Sequence, residues 1–537
     1  MKKKYFITPL ILLAFFLNLR AQNDVNGSWS DPIEFGIVPV AVANLPDGRL
    51  LTWSSRFRFS FAEVSDGATF TEIFDPFMGT DGQALGEFTS NTDHDMFCPG
   101  INNLPDGRIL SAGGATSERT SIFDPQTGLW SVASAMNIPR GYQGNVTLSN
   151  GAVFTVGGSW NDYNSNNSNN PLRNGGKHAE LWSPTTGWYV LPNITGEDLY
   201  TLNDEAQESQ GLYRIDNHVW LWPAPNGKVF HAGPGEMMHW IDPDVSGGEI
   251  VEAGIREDVL AGETDGYSMK GNTVMFDIGK ILKTGGAPEY GADALGMDPA
   301  RNNSFVIDLN GVNYGQTPSV TFTGNMANAR TMHNSTVLPN GEVLITGGLG
   351  RAAVFTDDTA VLGAEIFNPD TNTWRTVAAM QEPRTYHSVA ILMTDGRVFV
   401  GGGGLCNTTP SCVNHTDAEI YSPPYLFDNT GSLATRPQIT SITSTNPQLG
   451  PYGDTQVDYN TSLTVTTDVA VSEFSLIRFS AATHSTNNEQ RRIPLTTSTG
   501  TNHLLNIPDR NLLPPGYYML FALDTNGVPW KASFTAS

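Results

Sequence analysis

A tight turn recurs seven times along this chain, five times followed by a glycine pair or run, and no other feature narrows the possible fold as far. The pattern runs through Leu45-Pro46-Asp47-Gly48-Arg49, and through Leu104-Pro105-Asp106-Gly107-Arg108 on to Gly113-Gly114. Ser149-Asn150-Gly151 leads to Gly157-Gly158, Pro225-Asn226-Gly227-Lys228 to Gly233, and Asp277-Ile278-Gly279-Lys280 to Gly285-Gly286. Leu338-Pro339-Asn340-Gly341 leads to Gly347-Gly348, and Thr394-Asp395-Gly396-Arg397 to the run Gly401–Gly404. Asp-Gly and Asn-Gly suit two-residue hairpin turns because both central positions need positive φ. Each repeat therefore opens with a β-hairpin.

The repeats also share a second half. Glu72-Ile73-Phe74-Asp75-Pro76, Ser121-Ile122-Phe123-Asp124-Pro125, Glu180-Leu181-Trp182-Ser183-Pro184, Glu365-Ile366-Phe367-Asn368-Pro369 and Glu419-Ile420-Tyr421-Ser422-Pro423 are variants of one strand and its exit turn. Trp130, Trp188 and Trp374 follow at similar offsets, as packing anchors for outer strands. Two hairpins make a four-stranded blade, and a spacing of about 50 residues predicts a seven-bladed kelch-type β-propeller over residues 22–436. The glycine pairs are expected where inner strands crowd and a side chain would clash. The Asn-rich stretch 161–170 reads as a loop inserted on one face. Residues 437–537 instead alternate in short Thr/Val/Ser-rich strands, such as Leu463–Thr467 and Phe474–Phe479, which predicts a separate immunoglobulin-like β-sandwich. The fold class is all-β throughout.

Residues 1–21 read as a secretion signal: Lys2-Lys3-Lys4, an apolar run from Tyr5 to Leu17, then Arg20-Ala21. Thirteen residues are too few for a hydrocarbon core of about 30 Å, although a membrane anchor is the other reading. Four of the 30 basic residues lie in this segment, so the remainder carries 26 basic against 54 acidic residues. So acidic a protein repels phosphate backbones and anionic lipids, which disfavours nucleic-acid and membrane-surface roles. The expectation is an extracellular, secreted monomer, with periplasmic or cell-surface placement as variants. Cys406 and Cys412 are close enough in a Gly-rich turn for a local disulfide. Cys98 is then the odd thiol in an exported chain, to be buried or used.

Taken singly, the chemically able residues are unremarkable. Cys98 fits a buried free thiol, Tyr142 a core tyrosine, and His484 a surface or interface histidine; the Tyr386-His387 pair is a weak signal. Together they carry more. His94–Gly100, Arg140-Gly141-Tyr142-Gln143, Gly157-Gly158-Ser159-Trp160, Tyr386-His387-Ser388, Gly401–Cys406, and Ala482-Thr483-His484 with Gln490-Arg491-Arg492 occur in that order. So do Gly211-Leu212-Tyr213-Arg214 and Asp216-Asn217-His218. In these motifs the chain resembles the galactose oxidase family of copper radical oxidases over nearly its whole length. The family's N-terminal carbohydrate-binding domain has no counterpart before the first repeat.

The resemblance implies one copper ion held by Tyr142, Tyr386, His387 and His484. It further implies a thioether joining Cys98 to the ring of Tyr142, a protein-derived cofactor, with Trp160 stacked over the sulfur. Phenolate and imidazole donors suit Cu(II), and the metal's charge favours the phenolate over a phenol of pKa about 10. The implied reaction takes a primary alcohol and dioxygen to aldehyde and hydrogen peroxide. Tyr386 would act as general base and the Tyr142–Cys98 radical would abstract hydrogen. Phe61, Phe97, Tyr290 and Phe355 fall near positions that line the family's sugar site, and flat aromatic faces suit a sugar ring or an aryl alcohol. The arginine with which the family grips galactose has no clear equivalent; Arg256 is nearest but out of register. The expected activity is therefore on primary alcohols, with galactose selectivity in doubt. Two other readings stand beside it: a glyoxal-oxidase-like enzyme acting on small aldehydes, and a non-catalytic kelch module for glycan binding or adhesion.

Overall fold

Among the described residues seven small antiparallel sheets surround one axis, a larger sheet packs beside them, and Glu257–Asp258 and Glu263–Thr264 form a separate two-stranded ribbon. The computed structural model describes residues 22–61, 67–158, 177–199, 218–288, 298–406, 412–530 and 533–536. Residues 1–21, the Asn-rich insertion, Trp160, Tyr213, Arg214 and Tyr290 lie outside the described residues.

Each of the seven sheets is a blade whose strands run outward from the axis, in chain order except that the first gains an inner strand and the last an outer one from elsewhere in the chain. The inner strands include Ala41–Asn44, Gly100–Asn103, Gly144–Thr147, Trp220–Pro223, Asn272–Asp277, Thr331–Val337 and Val389–Leu392, all buried except at the end of the fifth. Closure uses the two ends of the propeller segment. Ser28–Trp29 and Ile33–Glu34 pair with Asp417–Ser422, so the chain start supplies the outer edge of the last blade.

The hairpin turns differ from the expectation in one respect. At Leu45–Arg49 the Leu45 N–H donates to the Arg49 carbonyl and the Gly48 N–H to the Leu45 carbonyl, and only Gly48 is left-handed, at φ 87°. That is a three-residue loop, a type I turn followed by a left-handed glycine, rather than a two-residue turn with both centres at positive φ. The same bonds recur at Leu104, Leu148, Ala224, Leu338 and Met393. A type I turn places Pro and Asp without strain, which explains the Pro-Asp-Gly wording of several repeats.

The glycine pairs have a steric cause. A Cβ on Gly113 would lie 2.2 Å from the Arg140 carbonyl oxygen, and one on Gly347 would lie 2.3 Å from that of Arg384. Their second members, Gly114 and Gly348, donate N–H bonds to those same carbonyls. Each pair thus straps its blade to the next. Arg140, Arg330 and Arg384 are fully buried, and each meets a glutamate near the start of the third strand of its own blade. Arg140 bonds Glu180 at 2.9 Å, Arg330 bonds Glu365 at 2.5 Å, and Arg384 bonds Glu419 at 3.3 Å. In these three blades the recurring Glu of the repeat's second half is therefore a buried ion-pair partner, whereas Glu72 of the first accepts the Gly36 and Gly86 N–H groups.

The C-terminal sheet is built on Ser462–Arg478. The two short strands expected at Leu463–Thr467 and Phe474–Phe479 are one bent strand of 17 residues. Its first part pairs with Ile439–Ser444 and Gly500–Asn506, and its second with Arg492–Leu495 and Tyr517–Asp524. Beyond Arg478 the chain enters the propeller. Ala481–Thr483 pairs with Ala41–Ala43 as a fifth strand on the axial side of the first blade. The following turn is tied into the propeller core. Glu489 accepts from Asn102 and the Thr147 N–H, Asn488 donates to the Asn145 and Val219 carbonyls, and Gln490 donates to the Ser335 carbonyl. A finger of the second domain plugs the propeller axis.

Candidate active site

One backbone position, repeated around the axis, faces most of the functional side chains inward. Two residues before the inner strand of successive blades stand Cys98, Tyr142, His218, Lys270 and His387. In the sixth blade Met332 occupies the matching register. Five of these six are left-handed, with φ of 61° at Cys98, 59° at Tyr142, 51° at Lys270, 61° at Met332 and 71° at His387. Non-glycine residues pay about 1–3 kcal/mol for such a conformation, and it persists where the surroundings over-determine it. The finger adds His484, also left-handed, at φ 50°.

Local bonds hold each segment. The His94 ring is fixed between Ser121 Oγ and the Gly113 carbonyl, and the Asp95 carboxylate accepts the Arg56 and Phe97 N–H groups. That loop presents Cys98 to the axis. The Tyr142 N–H donates to the Cys98 carbonyl at 2.9 Å, which sets the thiol and the phenol on adjacent backbones. On the opposite side the Gly404 N–H donates to the Tyr386 carbonyl at 2.9 Å.

The side chains converge. The Tyr142 and Tyr386 hydroxyls are 2.9 Å apart, and Cys98 Sγ lies 3.0 Å from His484 Nε2. The His387 and His484 rings are 4.4 Å apart, and the Tyr386 and His387 rings 3.8 Å. All five residues are buried. Burial pushes the His387 imidazole down to about 3 and His484 well below its ordinary value, the nearby Lys270 cation adding to both.

These donors fit copper on their own chemistry. Nδ1 of His387 meets the Gly404 carbonyl, which makes it the protonated nitrogen and leaves Nε2 as a lone pair; that Nε2 has no hydrogen-bond partner. For His484, Nδ1 lies 2.6 Å from Thr483 Oγ1, whose own proton goes to the Val40 carbonyl at 3.0 Å. The hydroxyl must accept from Nδ1, so Nε2 carries the lone pair, with Cys98 Sγ 3.0 Å away. Two imidazoles with tautomers set by oxygen partners, beside two phenols, make the nitrogen and oxygen set that suits Cu(II).

Of the aromatic positions expected near a substrate, three come together. Phe61 stacks on Phe97 at 4.9 Å and on Phe355 at 5.9 Å, while Phe355 meets Tyr386 and His387 edge-on at 5.4 and 5.7 Å. Arg256 is excluded as a substrate clamp. It is buried, bonds Asp265 at 2.6 Å, and donates to the Ala232 and Gly235 carbonyls. Cys406 and Cys412 form the expected disulfide, and Ser60 bridges to Cys406, which ties the Phe61 loop to that turn.

Two axis residues were not recognised in the sequence as site residues, His218 and Lys270. His218 stands 5.5 Å from the Tyr142 ring and 5.6 Å from the His484 ring. Lys270 brings its ammonium 4.8 Å from the centroid of Tyr142. Counting back two residues from each inner strand would have found both.

A propeller axis plugged by a second domain, with two phenols, two neutral imidazoles and a thiol around one point, defines a mononuclear metal oxidase. Known proteins agree with that class. The model of the family described as "Galactose oxidase-like, Early set domain" matches residues 436–536, and that described as "Glyoxal oxidase N-terminus" matches residues 273–425. A galactose oxidase of Gibberella zeae is 39% identical over 94% of this chain and 70% of its own length. An aldehyde oxidase GLOX of Vitis pseudoreticulata is 25% identical over 81% of this chain and 80% of its own. A fungal alcohol oxidase of the AA5 family, solved in complex with copper, superposes with a TM-score of 0.82 at 34% identity, covering 95% of this chain and 99% of that one. The chain belongs to the galactose oxidase family and is a copper-dependent oxidase.

Proposed function

We propose that this protein is an exported copper radical oxidase that converts primary alcohols to aldehydes while dioxygen becomes hydrogen peroxide. The observation that carries the reading is the meeting of Cys98, Tyr142, Tyr386, His387 and His484 at one buried point. Tyr142, Tyr386, His387 and His484 would hold the metal, and Cys98 would be joined to the Tyr142 ring. Bound copper supplies a Lewis acid for the alcohol oxygen and takes one of the two electrons. Tyr386 accepts the hydroxyl proton as general base. The Tyr142–Cys98 unit, as a radical, takes a hydrogen atom from the alcohol carbon. A sulfur substituent spreads the unpaired electron and makes that radical easier to form. Phe61, Phe97 and Phe355 wall the site with aromatic faces suited to an aryl or sugar alcohol.

A second reading, oxidation of small aldehydes, draws on the glyoxal oxidase match over residues 273–425. A peroxide-coupled assay of the purified, copper-loaded protein separates the two. Benzyl alcohol and glycerol are expected to react faster than methylglyoxal, and the reverse order selects aldehyde oxidation. Galactose at least as fast as benzyl alcohol and glycerol would show that a clamp for its hydroxyls exists after all. Silence with every substrate leaves a binding module.

The cross-link has its own test. After copper treatment, denaturing electrophoresis should resolve a faster band that Cys98→Ala abolishes. Mass spectrometry should find the Cys98 and Tyr142 peptides joined and lighter by two hydrogens. Recovery of Cys98 as an alkylatable thiol in fully metallated protein would refute the thioether.

A further inference from the structure

A cation stands inside the cluster just described. Lys270 occupies in the fifth blade the same left-handed position that Tyr142 and His387 occupy in theirs, with φ 51° and a relative exposure of 2%. Its Nζ is 4.8 Å from the Tyr142 ring centroid and 5.6 Å from that of Tyr386. The backbone there is pinned from the next blade, where the Met332 N–H donates to the Lys270 carbonyl at 2.7 Å. Both phenols thus share one buried positive neighbour. Ring faces attract cations, and with water excluded a charge at this range is only weakly screened.

We propose that Lys270 is a positioning residue that sets the one-electron potential of the Tyr142–Cys98 unit and holds it high. The inference rests on the radical reading given under Proposed function. In the oxidation concerned, the sulfur-substituted phenolate of Tyr142 loses one electron to an outer-sphere oxidant and becomes a neutral radical; no proton leaves. The anion is stabilised by the adjacent ammonium and the neutral radical is not. Oxidation is therefore harder with the cation present, and the radical, once formed, takes a hydrogen atom with a larger driving force. Arginine would preserve this effect and a neutral side chain would remove it.

Potentiometric titration of the copper-loaded protein against a ferricyanide/ferrocyanide couple, following the radical's visible absorbance, tests the assignment. Lys270→Met is expected to shift the midpoint downward by at least a tenfold change in equilibrium constant, about 59 mV for one electron. Lys270→Arg is expected to keep the wild-type midpoint. Lys270→Gln serves as the neutral variant if the methionine protein fails to fold, and one copper per chain is the criterion of an intact site. An unmoved midpoint in both neutral variants, or an arginine variant displaced as far as they are, overturns the assignment. A wild-type protein that yields no radical overturns the radical reading and this inference with it. A wild-type radical beside unmoved neutral variants overturns this inference alone.

Discussion

Tyr386→Phe is expected to lower kcat for primary alcohols by about 10²–10⁴, the contribution typical of a positioned general base. The substitution is clean because the ring does the packing and the oxygen the chemistry. Tyr386 is buried, with its ring against His387 at 3.8 Å and Phe355 at 5.4 Å, contacts that phenylalanine keeps. Only the hydroxyl 2.9 Å from Tyr142 is lost. The variant should therefore unfold at the wild-type temperature and still carry the Cys98–Tyr142 cross-link, while turnover collapses. Steady-state kinetics alongside a thermal melt would check this. A variant within threefold of wild-type kcat would remove Tyr386 from the base role.

The largest expected effect on stability falls far from the chemistry, at Glu365. Its carboxylate accepts the Ala327 and Asn328 N–H groups as well as the Arg330 guanidinium. Arg330 in turn donates to the Gly347 and Gly363 carbonyls. Both side chains are essentially sealed from water. Glu365→Ala leaves a buried charge unpaired, and truncating one member of such a pair costs about 3–5 kcal/mol. Glu365→Gln, which keeps acceptor capacity at similar volume, should lose less. Urea denaturation followed by tryptophan fluorescence measures both, and equal losses for the two would mean that the missing charge, and not the missing acceptor, sets the cost. The same substitution at an exposed pair such as Arg49–Asp47 should change stability by no more than about 1 kcal/mol.

Much of the architecture is legible in the repeats because a blade is a local object. A turn, a glycine pair and a Glu-led third strand lie within one stretch of chain, and hydrogen bonds between neighbouring strands do the rest. The glycine pairs were readable for the same reason: the clash with the next blade recurs at Gly113, Gly285, Gly347 and Gly402. Turn geometry was misjudged because Asp-Gly is compatible with two loop lengths, and the pattern of bonds at Leu45 and Arg49, not the dipeptide, selects between them.

The site divides along a similar line. By itself the sequence determined which residues could matter: a thiol, two tyrosines and two histidines, each beside a motif at the mouth of a strand or in the second domain. Their meeting was decided only by the tertiary structure. Ala481–Thr483 must pair with Ala41–Ala43, some 440 positions away, before His484 can reach Cys98. The fate of Arg256 likewise depended on Asp265 and two carbonyls that no spacing rule brings to it. Lys270 is the sharpest instance. An ordinary lysine in the chain becomes a buried cation over two phenols only because seven blades close a ring and turn the same backbone position toward its centre.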